Sequence, residues 1–113
     1  MQSIMHMLMG FTVIMAVGAT ALASDGNQHV AESVQHTKEA IAHGKQGHAD
    51  ALAQHAQVAL QHAEAAQKDL KGNPHVQEGV KGLKEAVQHA KAGHAEEGTK
   101  SADGALMHLH EVK

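Results

Sequence analysis

The chain has 113 residues, of which 12 are histidine, and it contains no cysteine and no arginine. Without cysteine, disulfides, thiolate metal sites and covalent c-type haem attachment are all excluded. The formal net charge is −3 with histidine neutral, and the single aromatic residue is Phe11. A mildly acidic chain without arginine or an aromatic stacking surface does not favour nucleic-acid binding.

The N-terminal residues have the pattern of a signal peptide. The stretch from Met7 to Ala23 is almost entirely apolar and ends in Ala21-Leu22-Ala23, a small-residue cleavage pattern. The stretch is short for a membrane span, although no Lys or Arg precedes it, so an uncleaved anchor is the alternative. We expect residues 1–23 to be removed, and residues 24–113 to form one periplasmic domain without membrane contact.

Four helices are predicted from core positions that recur at steps of three and four residues. The polar start at 24–28 offers Asp25 or Asn27 as an N-cap, and Gly44 to Gly47 predicts the first turn. Gly72-Asn73-Pro74 predicts the second turn, with Asn73 as N-cap and proline at the first helical position, and Ala92-Gly93 predicts the third turn. The predicted core positions are Val30, Val34, Thr37, Ile41, Ala49, Ala53, Ala56, Leu60, Ala63, Leu70, Val76, Val80, Leu83, Val87, Ala95, Thr99, Ala102, Leu106 and Leu109.

The second half of the chain repeats the first half with an offset of 46 residues. Residues 29–67 and 75–113 are identical at 16 of 39 aligned positions. Neither helical hairpin can bury its apolar stripe alone, so we predict an all-α fold, an antiparallel up-down four-helix bundle built from two duplicated hairpins. The fourth helix is the least favourable, because Gly98 and Gly104 each cost about 1 kcal/mol of helix propensity.

The histidines recur at steps of seven residues, and most of them lie one position before a predicted core residue. This spacing places them in a stripe at the margin of the core. About the first turn, His43 is matched with His48, His36 with His55, and His29 with His62. We therefore predict a ladder of histidine pairs. In the second copy His89 matches His94 and His75 matches His108, while Gly82 and Ser101 replace the remaining pair.

Such pairs predict metal binding, because imidazole is the commonest metal-binding side chain. Histidines seven residues apart lie about 10.5 Å apart along a helix and cannot share an ion, so further ligands must lie at i+3, i+4 or on another helix. Glu32, Glu39 and Glu85 have this spacing. The pairs next to the turns, His43/His48 and His89/His94, are the first candidates, with Glu39 and Glu85 as helpers. Nitrogen and carboxylate ligands suit Cu(II), Ni(II) and Zn(II), with Cu(II) bound most tightly.

The chain resembles the SmbP family of small periplasmic metal-binding proteins. The resemblance rests on the histidine-bearing seven-residue repeats and on segments such as Gly47-His48-Ala49-Asp50, Ala59-Leu60-Gln61-His62-Ala63 and Asn73-Pro74-His75. It implies a monomeric four-helix bundle that binds several divalent ions, copper foremost, for buffering or tolerance rather than catalysis. The implied ligands are His29, His36, His43, His48, His55, His62, His75, His89, His94 and His108.

Four other interpretations of the histidines remain open. In the first, the histidines are tolerated polar residues beside the core, which is the interpretation we favour for His110, because it lies off the stripe. In the second, the histidines form a pH-responsive structural or partner-binding module, since many of them titrate near pH 6.5. An enzymatic di-metal site is less well supported, because such sites need Glu-x-x-His groups that point inward. A haem-binding bundle would rely on histidine or on Met107, the only methionine after residue 23.

Overall fold

The computed structural model describes residues 26–113 and contains four α-helices in this part of the chain. They are α1 (Gly26–Lys45), α2 (Ala49–Asp69), α3 (Pro74–Lys91) and α4 (Ala95–His110). Each helix packs against its neighbours in the order α1, α2, α3, α4 and back to α1. Connections of three or four residues make consecutive helices antiparallel. The predicted all-α four-helix bundle is therefore confirmed.

Several expectations concern residues before Gly26. The predicted signal peptide, its cleavage after Ala23 and the N-cap candidate Asp25 lie outside the described residues. The other N-cap candidate, Asn27, is wrong, because α1 already begins at Gly26. Between residues 26 and 113, no helix combines the length and the apolar character needed to cross a membrane.

The turns use the residues that the sequence indicated, with one shift. Gly47, Gly72 and Gly93 adopt positive φ angles of 82°, 80° and 85°, which glycine tolerates without steric cost. Asn73 caps α3, because its side-chain oxygen accepts hydrogen bonds from the amides of His75 and Val76 at 2.9 and 3.2 Å. The first turn is shorter than predicted, because α1 continues through Gly44 and ends at Lys45.

The core consists mainly of alanine, valine and leucine, and one of its fully buried leucines was not predicted. Leu52 is completely buried although it lay outside the predicted stripe. Leu52 packs against Gly98, which is its counterpart in the second repeat and has no side chain. A Cβ added at Gly98 would lie 2.5 Å from Leu52 Cδ2. The two equivalent positions meet inside the bundle, and only one of them has room for a leucine. Gly98 is therefore required by packing in α4, despite its low helix propensity.

Candidate metal centre

Six histidines of the first hairpin form one continuous series of ring contacts, which we call the histidine ladder. Successive rings come alternately from α1 and from α2 or its N-cap His48, with ring centroids 5.0–6.3 Å apart. Nearly parallel stacking, at interplanar angles of 5° and 7°, joins His36 to His62 and His43 to His55. In order along the ladder, the members are His29, His62, His36, His55, His43 and His48.

The predicted pairs are present, but each inner histidine also contacts a second partner. The first hairpin turns at Gln46-Gly47-His48, between the end of α1 at Lys45 and the start of α2 at Ala49. The two sets of histidines are therefore staggered. Along the axis of the hairpin, the histidines of one helix lie roughly midway between those of the other helix. These diagonal contacts were not predicted, because the matched pairs were expected at equal heights. The residues at which the two helices end and begin at the turn could have revealed this stagger of the facing histidines.

A hydrogen bond inside the bundle holds the two helices together beside the ladder. Ser33 is completely buried, and its Oγ donates to the carbonyl oxygen of Ala59 across the α1–α2 interface at 2.8 Å. Thr37 Oγ1 donates to the Ser33 carbonyl on the same helix at 2.7 Å. A buried hydrogen bond between helices is lost if they slide past each other, so this contact favours one register of the facing histidines.

The middle of the ladder contains three side chains that converge as metal ligands would. Glu39 Oε1 lies 3.3 Å from His36 Nδ1 and 3.2 Å from His55 Nδ1. One ligand atom from each residue lies within 4.8 Å of the others. His36 Nδ1 is buried and makes no hydrogen bond of acceptable geometry, although it lies within ion-pair distance of Glu39. We name this set the middle centre.

The spacing of the middle centre fits a four-coordinate ion. Bonds of 2.0–2.1 Å at tetrahedral angles separate neighbouring ligand atoms by about 3.3 Å. The two nitrogen-to-oxygen distances match this value. The side chains of His36, His55 and Glu39 are 30%, 31% and 43% exposed, so solvent can reach the centre.

A match to a family model agrees with this geometry. The family described as small metal-binding protein matches residues 1–112. The chain belongs to the small metal-binding protein family. This confirms the resemblance that the histidine repeats indicated. No curated protein matches the chain.

Burial keeps two histidines of this small metal-binding protein in the form that binds metals. The pKa of His55 is lowered, first by burial and then by His43 and His36, while Glu39 acts in the opposite direction. The pKa of His62 is also lowered, first by burial and then by His36 and His29, against Glu32. A lowered pKa leaves imidazole neutral at pH 7, with a lone pair free for an ion.

The pair nearest the first turn has a less complete set of ligands. The rings of His43 and His48 lie 6.3 Å apart, and His48 is exposed. Glu39, expected to help this pair, lies between His36 and His55 instead. The structure thus brings more ligands together at the middle pair than at the turn-proximal pair that the sequence favoured.

The second hairpin of this family member keeps only part of the ladder. His75 and His108 are 5.8 Å apart, while His89 and His94 show no comparable ring contact within the described part of the chain. At Gly82 the helices come close together, since an added Cβ would lie 3.0 Å from Ala105 Cβ.

An open groove of about 400 Å³ lies where the missing middle pair would be, lined in part by Gly82, Ser101 and Glu85. Glu85, a predicted ligand, is exposed and makes no hydrogen bond or ion pair with a histidine among the described residues. The second hairpin therefore brings fewer potential ligands together than the first.

Proposed function

We propose that this protein binds several divalent metal ions through its histidine ladder and holds them reversibly in the periplasm, for buffering or tolerance. The observation that carries the proposal is the middle centre, where His36, Glu39 and His55 converge at distances that suit an ion. The family supports the same conclusion, because its description is that of a small metal-binding protein.

The ligand set favours loading and unloading over permanent binding. Three protein ligands leave at least one coordination position for water or for an incoming ligand. The side chains are also 30–43% exposed, so a competing chelator can reach the ion. A structural ion, in contrast, is enclosed by four protein ligands.

Copper(II) is the ion that we propose, with Ni(II) and Zn(II) as alternatives. Imidazole and carboxylate ligands accept all three ions, and Cu(II) is bound most tightly by a given nitrogen and oxygen site. The absence of cysteine disfavours Cu(I), which prefers soft sulfur ligands. The cargo is therefore a borderline divalent ion that prefers nitrogen.

The proposed role is binding rather than catalysis, carried out by a monomer with metal ions as its partners. The ladder lies at the margin of the bundle, and its ligands are not enclosed in a cavity that could exclude water from a reaction. Export is supported by the apolar stretch and the small-residue pattern before Ser24.

Isothermal titration with Cu(II), Ni(II) and Zn(II) at neutral pH tests the proposal. We expect several Cu(II) ions per chain, with the tightest one lost in His36→Ala/His55→Ala. The matched control is His110→Ala, which removes an exposed histidine outside the ladder and should leave the tight site unchanged. Equal losses in the double variant and in the control would contradict the proposal.

The turn-proximal pair is tested separately by His43→Ala/His48→Ala. We expect loss of a weaker ion with retention of the tight one, because no carboxylate among residues 26–113 lies within ion-pair distance of this pair. Loss of the tightest ion would instead favour the original prediction from the sequence.

The second candidate is a pH-responsive structural or partner-binding module. It is favoured by the lowered pKa values of His55 and His62 and by their contacts with other histidines. Strong unfolding between about pH 7 and pH 5, together with no change in stability on adding metal, would support this candidate. A rise in thermal stability with Cu(II) would support metal binding instead.

A further inference from the structure

The outer pair of the ladder has a geometry that differs from the middle centre. His29 Nδ1 lies 3.3 Å from His62 Nδ1. The other ring nitrogen of His62, Nε2, lies 3.2 Å from Glu32 Oε1. The two nitrogens face different sides of the imidazole ring, so Glu32 and the Nδ1 atoms cannot ligate one ion together.

We propose that His29 and His62 form a second metal centre through their Nδ1 atoms, in which Glu32 is a positioning residue that accepts a hydrogen bond from His62 Nε2. This assigns Glu32 a different role from the ligand that the sequence predicted. The inference rests on the proposed metal binding, and it adds a separate site of distinct design.

The distance between the two nitrogens supports ligation by both. Two imidazole nitrogens bound to one tetrahedral ion at 2.0–2.1 Å lie about 3.3–3.4 Å apart. The observed 3.3 Å is just longer than a good hydrogen bond between nitrogens, which requires that one of them carries the proton. When a divalent ion binds here, this proton moves to the Nε2 atom of the same ring, and the ion uses the lone pairs of both Nδ1 atoms without moving either ring far.

Glu32 occupies the position of the carboxylate that commonly lies behind a metal-bound histidine. A ligating imidazole usually donates its other N–H to a carboxylate, which fixes the tautomer and makes the ligand more basic. The side chains of His62 and Glu32 are only 26% and 28% exposed, which limits the access of water to the contact between them. With Nε2 protonated, Nδ1 of His62 has its lone pair free for the ion.

The second hairpin provides a matched pair without the carboxylate. His75 and His108 are the repeat counterparts of His29 and His62, and both pairs have an interplanar angle of 33° with centroids 5.8 and 5.5 Å apart. Glu78, the counterpart of Glu32, is exposed and makes no ion pair with His108 in the described residues. We expect His29/His62 to bind the same ion about 10–100-fold more tightly than His75/His108.

The outer centre is independent of the middle one, because they share no ligand. Glu39 contacts His36 and His55, whereas Glu32 contacts His62. Ring stacking between His36 and His62 is the only direct link between the two centres that the structure shows among the described residues. A substitution at Glu32 should therefore weaken one centre and leave the ligands of the other in place.

The test is a Zn(II) titration of the protein followed by nitrogen-15 NMR of the imidazole rings. Zinc is diamagnetic, and the nitrogen shifts distinguish a metal-bound, a protonated and an unprotonated ring nitrogen. We expect metal-bound Nδ1 on His29 and His62, with Nε2 of His62 protonated. Glu32→Gln should weaken zinc binding at this pair about 10–100-fold and keep the same ligand atoms. The control Glu78→Gln should not change binding at His75/His108.

Three results would overturn the inference, and they are distinct from failure of the proposed function. One is zinc bound to Nε2 of His62, which would make Glu32 a ligand. Another is unchanged affinity in Glu32→Gln. A third is zinc-dependent shifts at His36 and His55 with none at His29 and His62. If no histidine responds to zinc or to Cu(II), the proposed metal binding itself fails.

Discussion

Replacing Glu39 with glutamine removes the charge of the middle centre and keeps the size of the side chain. Without metal, Glu39→Gln should change the free energy of unfolding by less than about 0.5 kcal/mol, because the carboxylate is 43% exposed and its partner His55 has a lowered pKa. The matched control is Glu85→Gln, the repeat counterpart, whose side chain is exposed and makes no ion pair with a histidine among residues 26–113.

With metal, the two variants should differ clearly. Loss of a carboxylate that only supports a ligand weakens metal binding about 10–100-fold, and loss of a ligand should cost at least as much. At a free ion concentration 100 times the dissociation constant, the middle centre stabilises the fold by about 2.7 kcal/mol. After a 10- or 100-fold loss of affinity, the same concentration gives about 1.4 or 0.4 kcal/mol. The metal-dependent rise in Tm should then shrink by roughly 5–18 °C for a domain of this size.

Thermal unfolding with and without Cu(II), followed by circular dichroism, measures this difference. Glu39→Gln should lose much of the rise in Tm, while Glu85→Gln should match the unaltered protein. The proposed role of Glu39 in the middle centre is refuted if both variants keep the full rise in Tm, or if both lose it equally.

Further predictions concern pH and packing. The pKa values of His55 and His62 are lowered below 6.5, chiefly by burial, so the unfolded chain binds more protons than the folded protein. Without metal, the free energy of unfolding should therefore be highest above pH 6.5 and should fall as the pH drops through the folded pKa values. A series of thermal melts at different pH values measures this change. Gly104→Ala should raise the free energy of unfolding by up to about 1 kcal/mol in urea, because a Cβ there meets open space. Gly98→Ala should lower it, since the new Cβ overlaps the fully buried Leu52, and a stabilised Gly98→Ala would contradict the packing described.

Much of the fold was predictable because the relevant signals are local. The three turns are marked by Gly47, Gly72 and Gly93, and their positive φ angles are a property of glycine itself. Asn73 caps α3 through atoms within three residues of it. The histidine pairs followed from the seven-residue period together with the position of the first turn.

The arrangement within the site was less predictable, because it depends on side-chain directions across two helices. Glu39 has i+3 spacing to His36, but its contact with His55 requires the packed hairpin. Glu32 had the spacing of a ligand, yet it contacts the ring nitrogen of His62 that faces away from His29. Spacing along a helix indicates that residues are near each other, and it does not indicate which ring nitrogen they meet.

One of the fully buried leucines of the core, Leu52, was not predicted for a related reason. The stripe assigned Ala53 rather than Leu52, because the steps of three and four residues were carried across the first turn. The large side chain of Leu52 has room because Gly98, which lies 46 residues further along the chain in another helix, has no side chain. Such complementarity arises only when two distant helices pack, so no local pattern shows it.

The most direct test of the metal-binding account is a crystal structure of the Cu(II)-loaded protein, with anomalous scattering used to locate the ions. The account predicts an anomalous peak within bonding distance, about 2.0–2.2 Å, of His36, Glu39 and His55. It would be contradicted if copper occupied only isolated exposed histidines such as His110, with the ladder left free of metal.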